Sequence, residues 1–589
     1  EVFVRSFYDG TGDGKGDFVG LTARLDYLND GNPATTTDLG ITAIWLMPMM
    51  QSPSYHGYDV TNYNATEPDY GTMVEFEAFL AAAHARGIKV IIDLVLNHSS
   101  NQHLWFAQSA SAPTNPKRDW YRWSATRPGT PGPWGQTVWH PRNGAYYYGL
   151  FYDGMPDLNW RNPDLKAAMW AVSRYWLAKG VDGYRLDAVK YLLEDGDTLE
   201  STHANFRLLE ELHDSVRAVN PQAVTVGEAW STTNAVVPYV QNDRLDLCFE
   251  FDLAASILNS LNAGSPARLR AQLNHVSTAY PTLQYATFLT NHDQNRVLDV
   301  LGGDLAKMKQ AATLYLTMPG VPFLYYGEEV GMSGTGPDED KRLPMQWTAG
   351  PRAGFTTGTP WRAPNANYPR FNVATMAADP ASLLNHYKKL IGLRVGSEAL
   401  RKGYYLPVTS ASAPVLTYAR IWQQEAVVVV ANMGPASAPG GALSLPISSL
   451  PAGLYDATDL TSGQSFGSIT LDSTGGFRAW TPAVASLGAN QTWVLRLAPR
   501  PTGVRPAVAA TDFQLYPNPA DARVRIELAT AAVGNCLLRV YDLRGRLLRT
   551  VAFSGGRYDL DTHDLSTGSY FVQLTAGRAV TMQRLMVTR

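Results

Sequence analysis

From residue 1 to about residue 400 the chain repeats one unit: a short apolar run followed by an amphipathic stretch with helical spacing. The apolar runs read as strands at Val2–Tyr8, Ala43–Pro48, Lys89–Leu96, Gly183–Val189, Ala223–Glu228, Leu245–Phe251, Ala286–Thr290 and Val321–Tyr326. Several are apolar almost throughout, as in Val90-Ile91-Ile92-Asp93-Leu94-Val95-Leu96, the mark of parallel strands buried on both faces. Amphipathic stretches at Met73–Arg86, Asp164–Lys179, Asn205–Val219 and Asp304–Thr317 supply the crossovers that parallel pairing needs. Asn162-Pro163, Ser265-Pro266 and Asp379-Pro380 each put a capping side chain before a proline suited to a first helical turn. Eight strands with interleaved helices predict an α/β fold, a (β/α)8 barrel over residues 1–97 and 161–402.

Residues 98–160 break this rhythm with Pro, Gly and Trp, and are too long for a βα loop, so an inserted subdomain is expected on the rim. Its aromatics (Trp105, Trp120, Trp123, Trp134, Trp139 and Tyr146-Tyr147-Tyr148) suit either stacking platforms or a small core, and most are expected in the core. Alternating segments over 403–498 predict an antiparallel β-sandwich. Pro499, Pro501 and Pro506 mark a linker over 499–510, and 511–589 reads as a further small β module with segments at Arg523–Leu528, Leu537–Tyr541 and Tyr570–Leu574.

The formal net charge of -3 leaves no basic footprint for nucleic acid, so no such partner is expected. No run approaches the roughly 18 apolar residues of a transmembrane helix. Cys248 and Cys536 fall in different predicted domains, so no disulfide is expected. The opening residues already read as strand, and any signal peptide lies outside this sequence.

Charge at the strand ends carries the chemistry. Alternation in Gly183–Lys190 puts Arg185 and Asp187 on one face, where a plain barrel core would be apolar. By itself a structural ion pair accounts for them. However, Asp93, Asn97 and His98 follow the third strand, Glu228 ends the fifth, and His292 and Asp293 follow the seventh. Active sites of such barrels lie at the C-terminal strand ends, where all these groups converge.

Asp-Leu-Val-Leu-Asn-His (93–98), Gly-Tyr-Arg-Leu-Asp-Ala-Val-Lys (183–190), Gly-Glu-Ala-Trp (227–230) and Thr-Asn-His-Asp-Gln-Asn-Arg (290–296) resemble, in order, the four signature regions of the alpha-amylase family, glycoside hydrolase family 13. The resemblance covers about residues 1–498 and implies retaining hydrolysis of α-glucosidic bonds. Asp187 is then the nucleophile, Arg185 holds it ionised, Glu228 is the acid/base and Asp293 the third carboxylate. His98, His292 and Tyr58 resemble the groups that hold the sugar at subsite -1. Lys190 resembles a leaving-group-side lysine, and Asp59 an acid that closes the cleft in exo-acting glucosidases.

The loop Asp9-Gly-Thr11-Gly-Asp13-Gly14-Lys15-Gly-Asp17 has EF-hand-like oxygen spacing, with Lys15 offering its carbonyl, but Gly20 stands where the bidentate Glu belongs. A Gly/Asp-rich turn is the other reading; relatives with a similar loop bind calcium there, and the resemblance implies the same. It also suggests a second calcium on Asn97, Asp157 and the Tyr191 carbonyl, with Tyr191 where a His is usual. Met155-Pro156-Asp157-Leu158-Asn159 resembles a group between oligo-1,6-glucosidases and neopullulanases, and Arg342-Leu-Pro-Met-Gln-Trp347 resembles the former. Ala188 after the nucleophile favours α-1,4 bonds. The expectation is a monomeric amylase acting on starch or maltooligosaccharides. The alternatives are an exo-acting α-glucosidase, oligo-1,6-glucosidase or glucanotransferase and, more remotely, a non-catalytic glucan-binding protein.

Leu515-Tyr516-Pro517-Asn518-Pro519-Ala520, Val540–Arg546 and Gly568–Leu574 are similar to the sorting domain read by the type IX secretion machinery, with Arg584 in place of a usual lysine. An accessory carbohydrate-binding sandwich is the other reading. Sorting implies a secreted or cell-surface protein.

Overall fold

The computed structural model describes residues 1–500, 513–528, 535–576 and 579–588. The chain divides into two compact units: one of residues 1–251, 284–303 and 322–391, the other of 252–283, 304–321 and 392–589.

The first unit contains a closed ring of eight parallel stations. Ala43–Leu46, Lys89–Leu94, Gly183–Leu186, Val224–Gly227 and Leu247–Cys248 form one parallel sheet in that order. Val2 pairs with Leu46 on one side, and Phe249 with Ala286 on the other. The Phe323 amide donates to the Thr287 carbonyl (2.7 Å), and Tyr326 donates back to the Glu1 carbonyl (3.0 Å), closing the circle. Ile44, Leu46, Val90, Ile92, Leu94, Tyr184 and Leu186 are buried, as a two-sided parallel sheet requires.

All eight predicted strands are shorter than expected, the inner four by two or three residues and the other four to one or two paired residues. Val2–Tyr8 pairs only at Val2 and then turns helically over Val4–Phe7. Its apolar residues serve packing of that turn, so a run with strand-like composition is not a strand. Leu245–Phe251 contracts to Leu247–Cys248 because Phe251 opens the helix Phe251–Ala263. Ala286–Thr290 contracts to Ala286–Thr287, and Val321–Tyr326 to Val321–Pro322, where proline lacks a ladder donor. Of the three predicted caps, Asn162 accepts the Asp164 and Leu165 amides with Pro163 in the first turn. Ser265 does not cap: Pro266 precedes Ala267–Ala279 with no side-chain cap. Asp379 accepts from Ala381 in a turn, and the helix Leu383–Val395 starts later, with the Ser382 hydroxyl accepting the Asn385 amide.

Within residues 98–160 lie the helix Leu104–Ser111 and a small sheet of Trp123–Ser124, Ala145–Tyr148 and Trp139–Arg142. Phe106 packs on Tyr121, Trp123 and Tyr147, and Trp105 on Trp120, so most of the aromatics are this segment's own core. Trp134 is different: it is 59% exposed.

In the second unit the helices Ala267–Ala279 and Leu305–Thr317 bind the sandwich sheet. Arg270 donates to the Val415 carbonyl (2.8 Å), Gln310 to the Asn432 carbonyl (2.9 Å), and Thr317 shares a bond with Tyr418 (2.6 Å). That sheet runs Tyr404–Pro407, Val415–Trp422, Glu425–Asn432, Thr492–Pro499, Gly453–Asp459 and Ser465–Leu471, all antiparallel. Most of the predicted linker, from residue 501 on, lies outside the described residues.

The tail has a three-stranded sheet (Phe513–Tyr516, Arg523–Leu528, Arg557–Asp561) and a four-stranded one (Leu547–Ser554, Asn535–Asp542, Gly568–Ala576, Ala579–Val587). The second sheet is apolar on both faces. Leu538, Val540, Val572 and Leu574 face the tail's own core, while Tyr541 and Phe571 enter the sandwich core. Arg584 lies over the Tyr404 ring, 5.3 Å from its centroid. Cys248 and Cys536 are both buried free thiols.

Candidate active site

The site grows from one register. Parallel pairing places Asp93 beside Arg185, and Arg185 beside Val226, two residues before Glu228. The Arg185 side chain is fully buried and points into the ring of strands. Its Nη1 donates to both Asp93 oxygens (3.1 and 2.9 Å), to Asp187 Oδ1 (2.7 Å) and to the Tyr58 hydroxyl (3.2 Å). Its Nη2 donates to Glu228 Oε2 (2.7 Å). One guanidinium thus holds three carboxyl groups from three strands. Planar donors in a rigid fork are what make this possible; an ammonium could not span them.

Ala188, directly after Asp187, is held at φ +49°, and its amide donates to Glu228 Oε2 (3.3 Å). A left-handed alanine costs roughly 1–2 kcal/mol, strain of the kind that collects at functional sites. Burial, with Asp187 and Asp293 adding like charge against the pull of Arg185, pushes Glu228 up to about 7. Burial is thus the leading cause of the rise, and the two carboxylates only add to it. Asp93 is likewise pushed up to about 7 by burial, opposed by Arg185.

Opposite lies the seventh station. His292 Nδ1 meets Glu1 Oε1 (2.6 Å) and its Nε2 meets the Tyr58 hydroxyl (2.7 Å), with the Tyr58 ring stacked on the imidazole at 5.6 Å. Burial would lower the His292 pKa, but Asp293 and Glu1 outweigh it and raise it. Asp293 accepts from Arg342 Nη2 (2.8 Å); against burial, His292, Arg342 and Arg185 hold its pKa below the usual carboxylate range.

His98 is 1% exposed, lowered to about 4 by burial, and among the described residues its Nε2 has no hydrogen-bond partner. A buried, unmatched imidazole nitrogen at this rim is a ready contact for a sugar hydroxyl. Asp59 is buried and accepts from the hydroxyls of Ser52 (2.7 Å) and Ser54. Lys190 Nζ reaches Glu200 (2.9 Å) and the Trp230 carbonyl (3.0 Å). Asp187, Glu228, Asp293, Arg185, Tyr58, His98 and His292 therefore meet in the same strand-end cluster or on its immediate neighbours.

Three contributors were missed from sequence. Asp93 was placed on the rim but not as the two-oxygen partner of Arg185. Arg342 was noted only in its motif, and Glu1 not at all. The Arg342 motif was the available signal; Glu1 gave none.

Residues 1–403 match the family described as alpha amylase, catalytic domain. The chain belongs to the alpha-amylase family. Alpha-amylase 3 of Dictyoglomus thermophilum is 39% identical over 439 residues, covering 74% of this chain and 84% of that protein. An oligo-1,6-glucosidase of Halalkalibacterium halodurans is 31% identical over 511 residues, covering 73% and 89%. Among solved structures, the alpha-amylase from H. orenii superposes with a TM-score of 0.73 at 36% identity, covering 84% of this chain and 98% of that one. This alpha-amylase family chain is a glycoside hydrolase with the (β/α)8 barrel followed by β-sheet domains. Residues 514–588 match the secretion system C-terminal sorting domain, so the enzyme is exported to the cell surface or beyond. No helix among the described residues is long and apolar enough to cross a membrane.

Alpha-amylase family members commonly bind calcium, and the first loop offers a hard-oxygen donor set. Thr11 Oγ1 lies 3.3 Å from Asp9 Oδ1 and 3.0 Å from Asp17 Oδ2, while the Lys15 ammonium turns away to Asp69 (2.5 Å). Asp9 also takes the Gly12 and Gly14 amides and the Thr356 hydroxyl, and Asp13 takes the Lys15 amide. Oxygen chemistry fits calcium, although among the described residues no three acidic, His or Cys side chains gather as a metal cluster.

At the second site Asn97 Nδ2 donates to Asp157 Oδ2 (3.1 Å), and Asn97 Oδ1 is buried without a partner. Burial and nearby Glu194 push Asp157 well above the usual carboxylate range, and Arg122 pairs with Glu194 at 2.5 Å. A guanidinium already brings positive charge there. The Tyr191 ring packs against Trp134 and Phe151.

Proposed function

We propose that the chain is a retaining amylase-type hydrolase of α-1,4-glucosidic bonds in starch and maltooligosaccharides. The observation that carries this is the single guanidinium of Arg185 bridging Asp187 and Glu228, with Glu228 titrating near 7. Retention needs a close carboxyl pair with one member ionised and one protonated.

Asp187 attacks the anomeric carbon as the Glu228 proton passes to the glycosidic oxygen, and the C–O bond breaks. The glycosyl ester on Asp187 is then opened by a water that returns its proton to Glu228. Arg185 orients Asp187 through both steps. Asp293, held ionised beside His292 and Arg342, takes sugar hydroxyls and balances positive charge at the ring. His98 and His292 bind hydroxyls at the same sugar, Tyr58 stacks on it, and Lys190 serves the leaving-group side. Ala188 supports α-1,4 preference.

A second reading is an exo-acting α-glucosidase. Asp59, buried and fixed by two serine hydroxyls, favours it, since an immobile carboxylate can close the cleft behind subsite -1. So does the similarity to the oligo-1,6-glucosidase. We propose calcium at the Asp9–Asp17 loop, where Asp9, Thr11, Asp13, the Lys15 carbonyl and Asp17 would hold it and the ion would tie the loop; Asn97, Asp157 and Tyr191 are the weaker set. The sorting domain implies the type IX secretion machinery as partner.

A time course of products from maltoheptaose and soluble starch, with Glu228→Gln as blank, tests the reading. Mixed oligosaccharides from the first minutes support an endo-acting amylase. Glucose alone from the start means the exo-acting reading holds. Identity with the blank would remove both.

A further inference from the structure

Glu1 has no part in the chemistry proposed above, yet its side chain is fixed against a residue that has. It sits where the ring of strands closes: its carbonyl accepts the Tyr326 amide (3.0 Å), and the next residue, Val2, pairs with Leu46. Its carboxylate lies 2.6 Å from His292 Nδ1, with the two side chains 3% and 1% exposed. A charge so deeply buried is tolerated when it is paired and hydrogen-bonded, and the imidazole supplies both.

Hydrogen-bond accounting around Tyr58 shows which form of His292 fits. The Tyr58 oxygen takes a proton from Arg185 Nη1 (3.2 Å) and gives its own to Asp93 Oδ2 (3.3 Å). A hydroxyl has one proton to give. His292 Nε2, 2.7 Å from the same oxygen, must therefore bring a proton of its own. Nδ1, facing the Glu1 carboxylate, must bring one too. An imidazole with a proton on each nitrogen is charged. Asp293 Oδ2, 3.3 Å from Nε2, completes the arrangement, so the cation stands between two carboxylates.

The charged groups acting on His292 are Glu1, Asp293, Asp93, Glu228 and Arg342, with Arg185 behind Tyr58; Glu1 itself also faces Tyr325. Burial opposes the cation, and Asp293 and Glu1 together overcome it.

We infer that Glu1 is a positioning residue of this hydrolase: its carboxylate holds the Nδ1 proton of His292, makes Nε2 a fixed donor, and so keeps the Tyr58 and Asp293 contacts in place for the sugar. Glu1 acts through His292 and touches no substrate. The inference rests on the hydrolase reading above.

Glu1→Gln keeps the shape and removes the charge. An opposite charge in contact moves a pKa by about 1–3 units. In the full chain with isotope-labelled histidine, the His292 resonance, assigned by its loss in His292→Gln, should deprotonate about one pH unit or more below native. On maltoheptaose, kcat/KM of Glu1→Gln should be about tenfold below native at pH 7, and the gap should narrow to about threefold or less at pH 5, where the imidazole takes its proton unaided. A merely structural role would lower it by the same factor at both. Glu1→Asp keeps the charge at longer reach and should show both changes at less than half the size, which gives the same reading if the glutamine chain does not fold. A His292 titration unmoved in these variants, or a deficit equal at pH 5 and pH 7, would overturn the assignment. A native chain that leaves maltoheptaose intact would instead remove the hydrolase reading, and the titration would still decide whether Glu1 holds the His292 proton.

Discussion

Arg185→Met is the substitution from which the structure yields the most definite numbers. It keeps the volume and removes the only cation among the described residues that contacts Asp93, Asp187 and Glu228 together. Removing one partner from a buried ion pair costs about 3–5 kcal/mol, because the remaining charge has no compensation. Here the remaining carboxylates can escape by taking up protons. In the native fold Asp93 and Glu228 already titrate near 7, well above unfolded values near 4. Without Arg185, whose charge opposes that rise, they move higher still.

A carboxyl whose folded pKa exceeds its unfolded pKa binds more protons folded than unfolded. Its penalty is therefore absent below the unfolded pKa and grows with rising pH until the folded pKa is passed, by about 1.4 kcal/mol per pH unit for each extra proton. Native Asp93 and Glu228 carry the same penalty up to about pH 7, so the deficit of the variant relative to native opens above pH 7 and reaches about 3 kcal/mol by pH 8 for the two carboxyls together. Arg185→Met should therefore be near-native in stability at pH 5 and severely destabilised at pH 8, with kcat down by about 10²–10³ at either pH from loss of preorganised charge. The assay is urea unfolding of the full chain by tryptophan fluorescence, read at the first transition since several domains unfold. A deficit that does not change with pH, or no deficit at pH 8, would refute the picture of three carboxylates dependent on one guanidinium.

Glu228→Gln should reduce kcat by about 10⁴ or more. Because Glu228 must be protonated to act, native kcat/KM should fall as pH rises through about 7, and a flat profile from pH 6 to 9 would count against it as the acid. Arg342→Ala removes one of the charges holding Asp293 below the usual range, so the acid limb of kcat/KM should move to higher pH; an unmoved limb excludes Asp293 from it. Tyr58→Phe deletes a hydroxyl shared by His292 and Arg185, and should destabilise by about 1–3 kcal/mol in the same unfolding assay while raising KM. Chelation should lower the thermal midpoint of the native chain, and Asp9→Ala should abolish that dependence if the first loop holds calcium.

How much of this was readable in the linear chain follows from the range of each interaction. The inner strands were legible because burial on both faces forces long apolar runs, as at Val90–Leu94. The flanking ones were misjudged for the same reason: Val2–Tyr8 is equally apolar, yet it needs only one pairing to complete the ring. The motif residues were legible because each sits at the end of its own strand. Glu1 on His292 and Arg342 on Asp293 join positions 291 and 49 residues apart, and no local pattern announces such pairs. The insert's aromatics had to be seen folded, since nothing in the run from Trp105 to Trp139 distinguishes the exposed Trp134 from its buried or half-buried neighbours.

The doubly apolar sheet of the tail has a consequence for processing. With Tyr541 and Phe571 seated in the sandwich core and Arg584 resting on Tyr404, a nick anywhere between residues 500 and 513 severs the covalent link but not this contact. The clipped tail remains a non-covalent passenger, held at the high effective concentration of a neighbour already in place. Shedding it requires a second event that parts the two surfaces, and bare sandwich left behind carries a greasy scar where Phe571 had been.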